Sequence, residues 1–338
     1  MNFDYHFDSL AAGKTYHRSS LSNPYKVVGA ALEQVISERP PTSVEVGRKS
    51  PVTTQYLDEL MIDNIIVQET GDQHRKIWRL GIMNSDGIVE NELTVRLHGI
   101  LAKVELTPGN LTKCDAGKAA NLCQRIEVVG LNSERFEGAV RNISVLHGAF
   151  ARFFGENRML PLNFGERKGE SRLSCSCLFL SRISAAGDEE VPFGAGVDPL
   201  GQLAKFRKCG LVHTPENKVS YLKTIKEANN DGSNEEIVIY EAFPGSFRPG
   251  DIVEVQGSLI ALANKHGKVK TTFQLSALNL IDASFSKAAE RSRAKVVIPT
   301  PAPVVLKRKL WHEAEDKEVV RARRQLRELA LEDQETEK

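Results

Sequence analysis

Cysteine is scarce in this chain. Five thiols in 338 residues, at Cys114, Cys123, Cys175, Cys177 and Cys209, are too few and too odd in number to frame a secreted, disulfide-held fold. Long hydrophobic runs are missing too. No stretch approaches the roughly 18 uninterrupted apolar residues of a membrane helix, and the nearest, VVIPTPAPVVL at 296–306, is broken by three prolines. The opening residues carry no basic region followed by an apolar core, so no secretory leader is evident. Charge of one sign is absent: 45 Lys plus Arg against 44 Asp plus Glu leaves +1. Any basic surface must therefore come from local segregation. These absences predict an intracellular protein in a reducing compartment.

Catalytic motifs are equally thin. GKAAN (117–121) has no Ser or Thr after its lysine, so it is no phosphate loop, and G-x-S-x-G, H-E-x-x-H and a calcium loop do not occur. The eight histidines are scattered, with no pair at helical i, i+4 spacing. Cys175 and Cys177 share one face of an apparent strand, where a metal would need two further ligands from elsewhere; small core residues explain them more simply. The carboxylate pairs Asp251 with Glu254 and Glu235 with Glu236 sit at strand edges, where solvated carboxylates are ordinary. The chain reads as a non-enzyme with no cofactor and no metal.

What is present is strand pattern. Hydrophobic residues at 41% and charged residues at 26% suit a globular protein, and the length allows two ordinary domains. Residues 1–50 read as a polar N-terminal segment with one short helix at 27–38, because Val28, Ala31, Leu32, Val35 and Ile36 recur at helical spacing. Pro40 and Pro41 follow it. A strand-rich domain is expected over 51–190. In its run ELTVRLHGILAKVEL, Leu93, Val95, Leu97, Gly99 and Leu101 face one way, and Thr94, Arg96 and His98 the other. RIEVVGL (125–131), NISVLHGAFARFF (142–154) and SRLSCSCLFLSRI (171–183) are read as further strands, with a short helix possible in 112–124.

The Gly- and Pro-rich stretch 191–202 is the expected domain boundary, followed by a barrel over 203–285. Its clearest element is a hairpin, 251–263 with 268–282, turning at NKHG. Val253, Val255, Gly257, Leu259 and Ala261 alternate on one strand, and Val269, Thr271, Phe273, Leu275 and Ala277 on the other. Leu278 and Leu280 then switch face, which calls for a bulge or a sheet edge. Residues 286–311 read as a Pro-containing basic linker and 312–338 as a C-terminal helix, with Val319, Ala322, Leu326 and Leu329 on one face. The predicted class is mainly β: two barrel-like antiparallel domains with short helices and that terminal helix.

Basic residues do cluster locally. Between 135 and 182 eight Lys/Arg stand against four Asp/Glu, interleaved with Phe136, Phe150, Phe153, Phe154, Phe164 and Phe179. Lys265, His266, Lys268 and Lys270 form a second cluster on the hairpin turn. Positive charge tracks phosphates, and exposed aromatic faces stack on unpaired bases. Equally, phenylalanines are usually core and charged turns usually solubilising. Lys307, Arg308 and Lys309, followed after eleven residues by Arg321, Arg323 and Arg324, have the spacing of a bipartite nuclear-import signal. The competing reading pairs those arginines with nearby glutamates on a helix.

PGDIVEVQGSLIALANKHGKVKTTFQLSALNLID (249–282) resembles the last hairpin of an OB-fold, a five-stranded barrel that commonly binds single-stranded nucleic acid or oligosaccharide. More broadly, 205–330 resembles proteins of mushroom-forming fungi that share FRPGDIVEVQ and a tail like LKRKLWHEAEDKEVVRAR; that family supplies no catalytic residues. The OB-like hairpin and the segregated basic residues together point to non-enzymatic binding of single-stranded DNA or RNA, with Lys265, Lys268 and Lys270 meeting phosphates and His266 with Tyr240 or Phe273 nearby for stacking. The protein would be nuclear if the tail signal operates. The alternative is a protein-interaction module docking a partner through the 312–332 helix, with no nucleic-acid role.

Overall fold

A computed structural model of the chain describes residues 24–39, 54–60, 64–72, 75–83, 86–109, 111, 114–155, 157–167, 170–183, 189–228, 235–295 and 319–327. Contacts divide the chain into two compact units, Met1–Lys295 and Val296–Lys338.

The first unit is built on a closed ring of five strands: β5 (Thr94–Glu105), β6 (Cys123–Val129), β8 (Glu170–Leu178), β14 (Val269–Asp282) and β13 (Ile252–Ala263). β5 pairs with β6, β6 with β8, β8 with β14 in parallel, β14 with β13, and β13 back to β5. Off β13 the sheet extends to β3 (Arg75–Met83), which pairs with β2 (Ile65–Asp72) and β4 (Val89–Glu92). Off β14 it extends through a parallel contact to β11 (Ser220–Ala228) and then β12 (Glu235–Glu241). The mainly-β class with short helices is thus what the structure shows. The ring takes three strands from 51–190 and two from 203–285, so the stretch 191–202 lies inside one unit and does not separate two sheets. Not every contact is antiparallel: β14 runs parallel to both β8 and β11, and the short β1 (Thr54–Tyr56) to β5, while β7 (Gly165–Arg167) pairs with β8 and β9 (Ser181–Arg182) with β10 (Leu211–Val212).

The final hairpin forms as its alternation predicts. Gln256 pairs with Ala277 but Gly257 pairs with Leu275, so Ser276 is an extra residue in β14. That bulge moves the buried set from Val269, Thr271, Phe273 and Leu275 to Leu278 and Leu280, which explains the switch of face seen in the sequence. The bulge also brings the strands close at Gly257, where a Cβ would lie 2.1 Å from the Gln274 carbonyl oxygen.

Two helices cover the ring. α1 (Pro24–Ser37) sets Val28, Leu32 and Ile36 against Ile100, Ala102, Val129, Leu131 and Ile252. Gly29 permits this approach, because a Cβ there would meet the Leu131 carbonyl oxygen at 2.2 Å. The region 142–154 corrects the sequence reading: it is not a strand but the second half of a long helix, Glu134–Phe154. Between these two helices lies the four-residue α2 (Ala116–Ala119), so the long one is α3. Ser133 caps α3 by accepting from Phe136 N–H at 3.1 Å, and Phe136, Ala139, Val140, Ile143, Leu146 and Phe150 form one buried stripe. A window opening at 142 cuts that stripe in half, and the remainder no longer displays its period.

A further correction concerns the linker. Residues 286–295 are helical, as part of α4 (Ser284–Lys295). Alanines and long polar side chains favour helix there, and the first proline comes only at 299. The remainder, 296–311, lies outside the described residues. In the second unit, 319–327 is a fully exposed helix, α5. No described helix is long and apolar enough to cross a membrane.

Candidate nucleic-acid interface

The hairpin turn is locked by Asn264, whose side-chain oxygen accepts from His266 N–H at 2.9 Å and Lys268 N–H at 3.1 Å. Gly267, at φ +73°, supplies the left-handed residue that closes it. Lys265, His266, Lys268 and Lys270 are all exposed. The turn is not free-standing. Lys268 Nζ donates to the Asn157 carbonyl oxygen at 2.6 Å. Val269 N–H donates to the Arg158 carbonyl and Leu160 N–H to the Val269 carbonyl, each at 2.8 Å. Two residues along β14 from Val269, His147 Nδ1 meets Thr271 Oγ1 at 2.8 Å, which aligns α3 with the same strand.

This packing joins the two basic clusters of the sequence. Arg158 lies over the Phe154 ring, 5.6 Å from its centroid. Phe154 in turn stands edge-on to Trp78 at 4.8 Å and to Phe153 at 4.9 Å. Phe153 is 55% exposed, and Arg152 and Arg158 are exposed beside it. Five exposed Lys/Arg therefore stand on the two segments that this packing joins, one of which also carries an exposed aromatic ring. Neither 147–165 as far as described nor 261–275 contains a carboxylate; Glu156 lies outside the described residues.

The other phenylalanines of 135–182 behave as core. Phe136, Phe150 and Phe179 are fully buried, and Phe154 and Phe164 are partly buried against the core. Phe273 is only 3% exposed, so it is a core ring and not a stacking platform. Its strand alternation already placed it inward. Tyr240 is exposed, but its hydroxyl donates to Glu227 at 2.7 Å and it pairs across β11 with the Leu280 end of β14. Ten residues of strand, roughly 30 Å, separate it from Lys270, and the structure does not bring the two together. Phe153 and Arg158 are surface residues that sequence pattern did not single out individually, although the basic, Phe-rich composition of their segment points there.

Outside the tip, the outer face of β2, β3, β13 and β14 carries a polar groove of about 560 Å³. Arg79 spans it, paired with Glu92 at 2.7 Å and Glu216 at 3.1 Å. With Lys218 the charges lining it balance, and no aromatic residue lines it.

Farther along the same face lies a buried ionic cluster. The Tyr56 ring is held between the guanidinium groups of Arg39, 3.9 Å from its centroid, and Arg96, 4.4 Å away. Its hydroxyl donates to Glu254 at 3.1 Å and its ring stacks on His98. Arg39 also grips Asp58 through two hydrogen bonds of 2.9 and 3.0 Å. Burial, with Arg39 nearby, pushes His98 down to about 4 and keeps it neutral; burial and Glu254 push Tyr56 up to about 12. The cluster fastens Arg39 and residues 54–59 over β5 and β13. Cys175 and Cys177 are buried, and burial raises both thiols, Cys177 to about 12, so neither is a ready nucleophile. Among the described residues no group of three or more His, Cys, Asp or Glu could hold a metal ion.

Of the tail signal, Arg321, Arg323 and Arg324 are exposed on α5, and Lys307, Arg308 and Lys309 lie outside the described residues.

No family model matches the chain, and no curated protein does. Among solved structures it is similar to gp2.5, a single-stranded DNA binding protein encoded by bacteriophage T7, at TM-score 0.33 and 12% identity over 62% of this chain and 98% of that one. A likeness of that size carries no argument about function.

Proposed function

We propose that the protein binds single-stranded nucleic acid at the hairpin tip and the adjoining end of α3. The observation that carries this reading is the docking of the tip on Asn157–Leu160, which joins the turn bearing Lys265, Lys268 and Lys270 to the segment bearing Arg158 and exposed Phe153. Cations of this kind meet phosphates, and a ring of this kind takes the face of an unstacked base. Duplex binds more weakly, because its bases are already stacked. Anisotropy titrations with a short single strand test it. Affinity falls with log salt at a slope of about −3 for four phosphate contacts, and by about 2 less after Lys265, Lys268 and Lys270 are all changed to Gln. Phe153→Ala costs about 1–3 kcal/mol of affinity with the slope unchanged. Undetectable binding at low salt refutes the proposal.

A second reading rests on α5, where Val319, Ala322 and Leu326 are exposed at helical spacing. On that reading the helix docks a partner protein, and removing 312–338 abolishes the partner while leaving nucleic-acid affinity untouched. The import role of Lys307–Lys309 and Arg321–Arg324 is tested by nuclear accumulation of the chain with both clusters changed to Gln.

A further inference from the structure

We propose that the polar groove on the outer face of β2, β3, β4, β13 and β14 takes the edges of the bases, so that the protein prefers some base sequences to others. This rests on the single-strand reading above. The groove's charge sets what it can hold. Arg79 is already engaged by Glu92 and Glu216, and the two carboxylates offset Arg79 and Lys218, so a phosphate gains nothing by entering. Its ligand is an uncharged hydrogen-bonding group. The amides of Gln68, Asn91 and Gln256 line it, and none makes a side-chain hydrogen bond among the described residues. Each amide presents a donor beside an acceptor, the pattern that a base edge also presents. No aromatic side chain lines the groove, so it cannot stack bases; stacking is left to Phe153.

Lys270, Thr272 and Gln274 follow one another on the same face of β14, and Gln274 is itself a groove wall, donating to the Glu216 carbonyl at 3.2 Å. From Lys270 to Gln274 is roughly 13 Å, well inside the ~4–16 nucleotides that one such barrel engages. A strand whose phosphates meet the tip lysines thus reaches the groove with its next bases. The groove floor is paired sheet, which holds the amides in fixed register.

The test uses the full chain and labelled 12-mers of dA, dC and dT at low salt. The expected result is a spread of about five- to tenfold in Kd between the oligonucleotides. Gln68→Ala, Asn91→Ala and Gln256→Ala together collapse that spread to under about twofold and leave the salt slope as it was. Should the triple variant fail to fold, the exposed pair Gln68→Ala and Asn91→Ala gives the same readout. A wild-type spread below about twofold, an unchanged spread in the variants, or a flattened salt slope overturns the groove assignment while single-strand binding stands. Absence of binding to all three oligonucleotides overturns both proposals.

Discussion

Replacing Phe273 by alanine discriminates sharply between a core ring and a binding ring. Phe273 lies opposite Leu259 on β13 and Cys175 on β8, so it joins three of the five ring strands. It is 3% exposed, and one ring carbon would stand 2.5 Å from a Cβ at Gly257. Truncation removes nearly a whole buried side chain at a site walled by strands, which have little freedom to collapse into the gap. The expected loss is about 3–5 kcal/mol. With a urea slope of about 2–3 kcal/mol per molar, the unfolding midpoint falls by roughly 1–2 M. Tryptophan fluorescence follows the transition, since Trp78 is buried against Phe154. Phe153→Ala is the control: that ring is 55% exposed, and its loss changes stability by about 0.5 kcal/mol or less. A Phe273→Ala midpoint within about 0.3 M of wild type, at unchanged slope, refutes the placement of this ring in the barrel core.

Two further outcomes follow from the same packing. Gly257→Ala forces a methyl against the Gln274 carbonyl oxygen at the bulge, a backbone atom that cannot swing aside, and costs about 1–3 kcal/mol or more in the same urea assay. His98 makes stability fall with acid. Its folded value of about 4 lies below the ordinary 6.5, so the unfolded chain takes up the proton first. Its contribution is therefore complete above pH 6.5 and is lost as pH drops toward 4, up to about 3 kcal/mol. His98→Gln, compared with wild type in unfolding titrations between pH 7.5 and 4.5, removes that part of the pH dependence.

Much of the fold is legible in the sequence where the signal is local. The hairpin Ile252–Asp282 follows from alternation, from the Asn264–Gly267 turn, and from the face switch at Ser276, all within thirty-one residues. α1 follows from one stripe of five apolar residues. α3 did not emerge at 142–154 because its capping serine and the first half of its stripe lie earlier in the chain. Which of two phenylalanines is exposed and which packs was half readable, since alternation puts Phe273 inward but says nothing about Phe153.

The tertiary structure decided everything that joins distant residues. Arg79 meets Glu216 across 137 positions, Lys268 meets Asn157 across 111, and Tyr56 meets Glu254 across 198. No periodicity records such pairings, because a strand's pattern states which face is buried and not which neighbour buries it. Segregated charge in the sequence could locate two basic segments, and only the docking of the hairpin on Asn157–Leu160 brought them into contact. The same closure separated Tyr240 from that surface, by setting β12 at the far end of β14. Turn chemistry and period are properties of a few consecutive residues, whereas ring closure is settled by which apolar faces together exclude the most water.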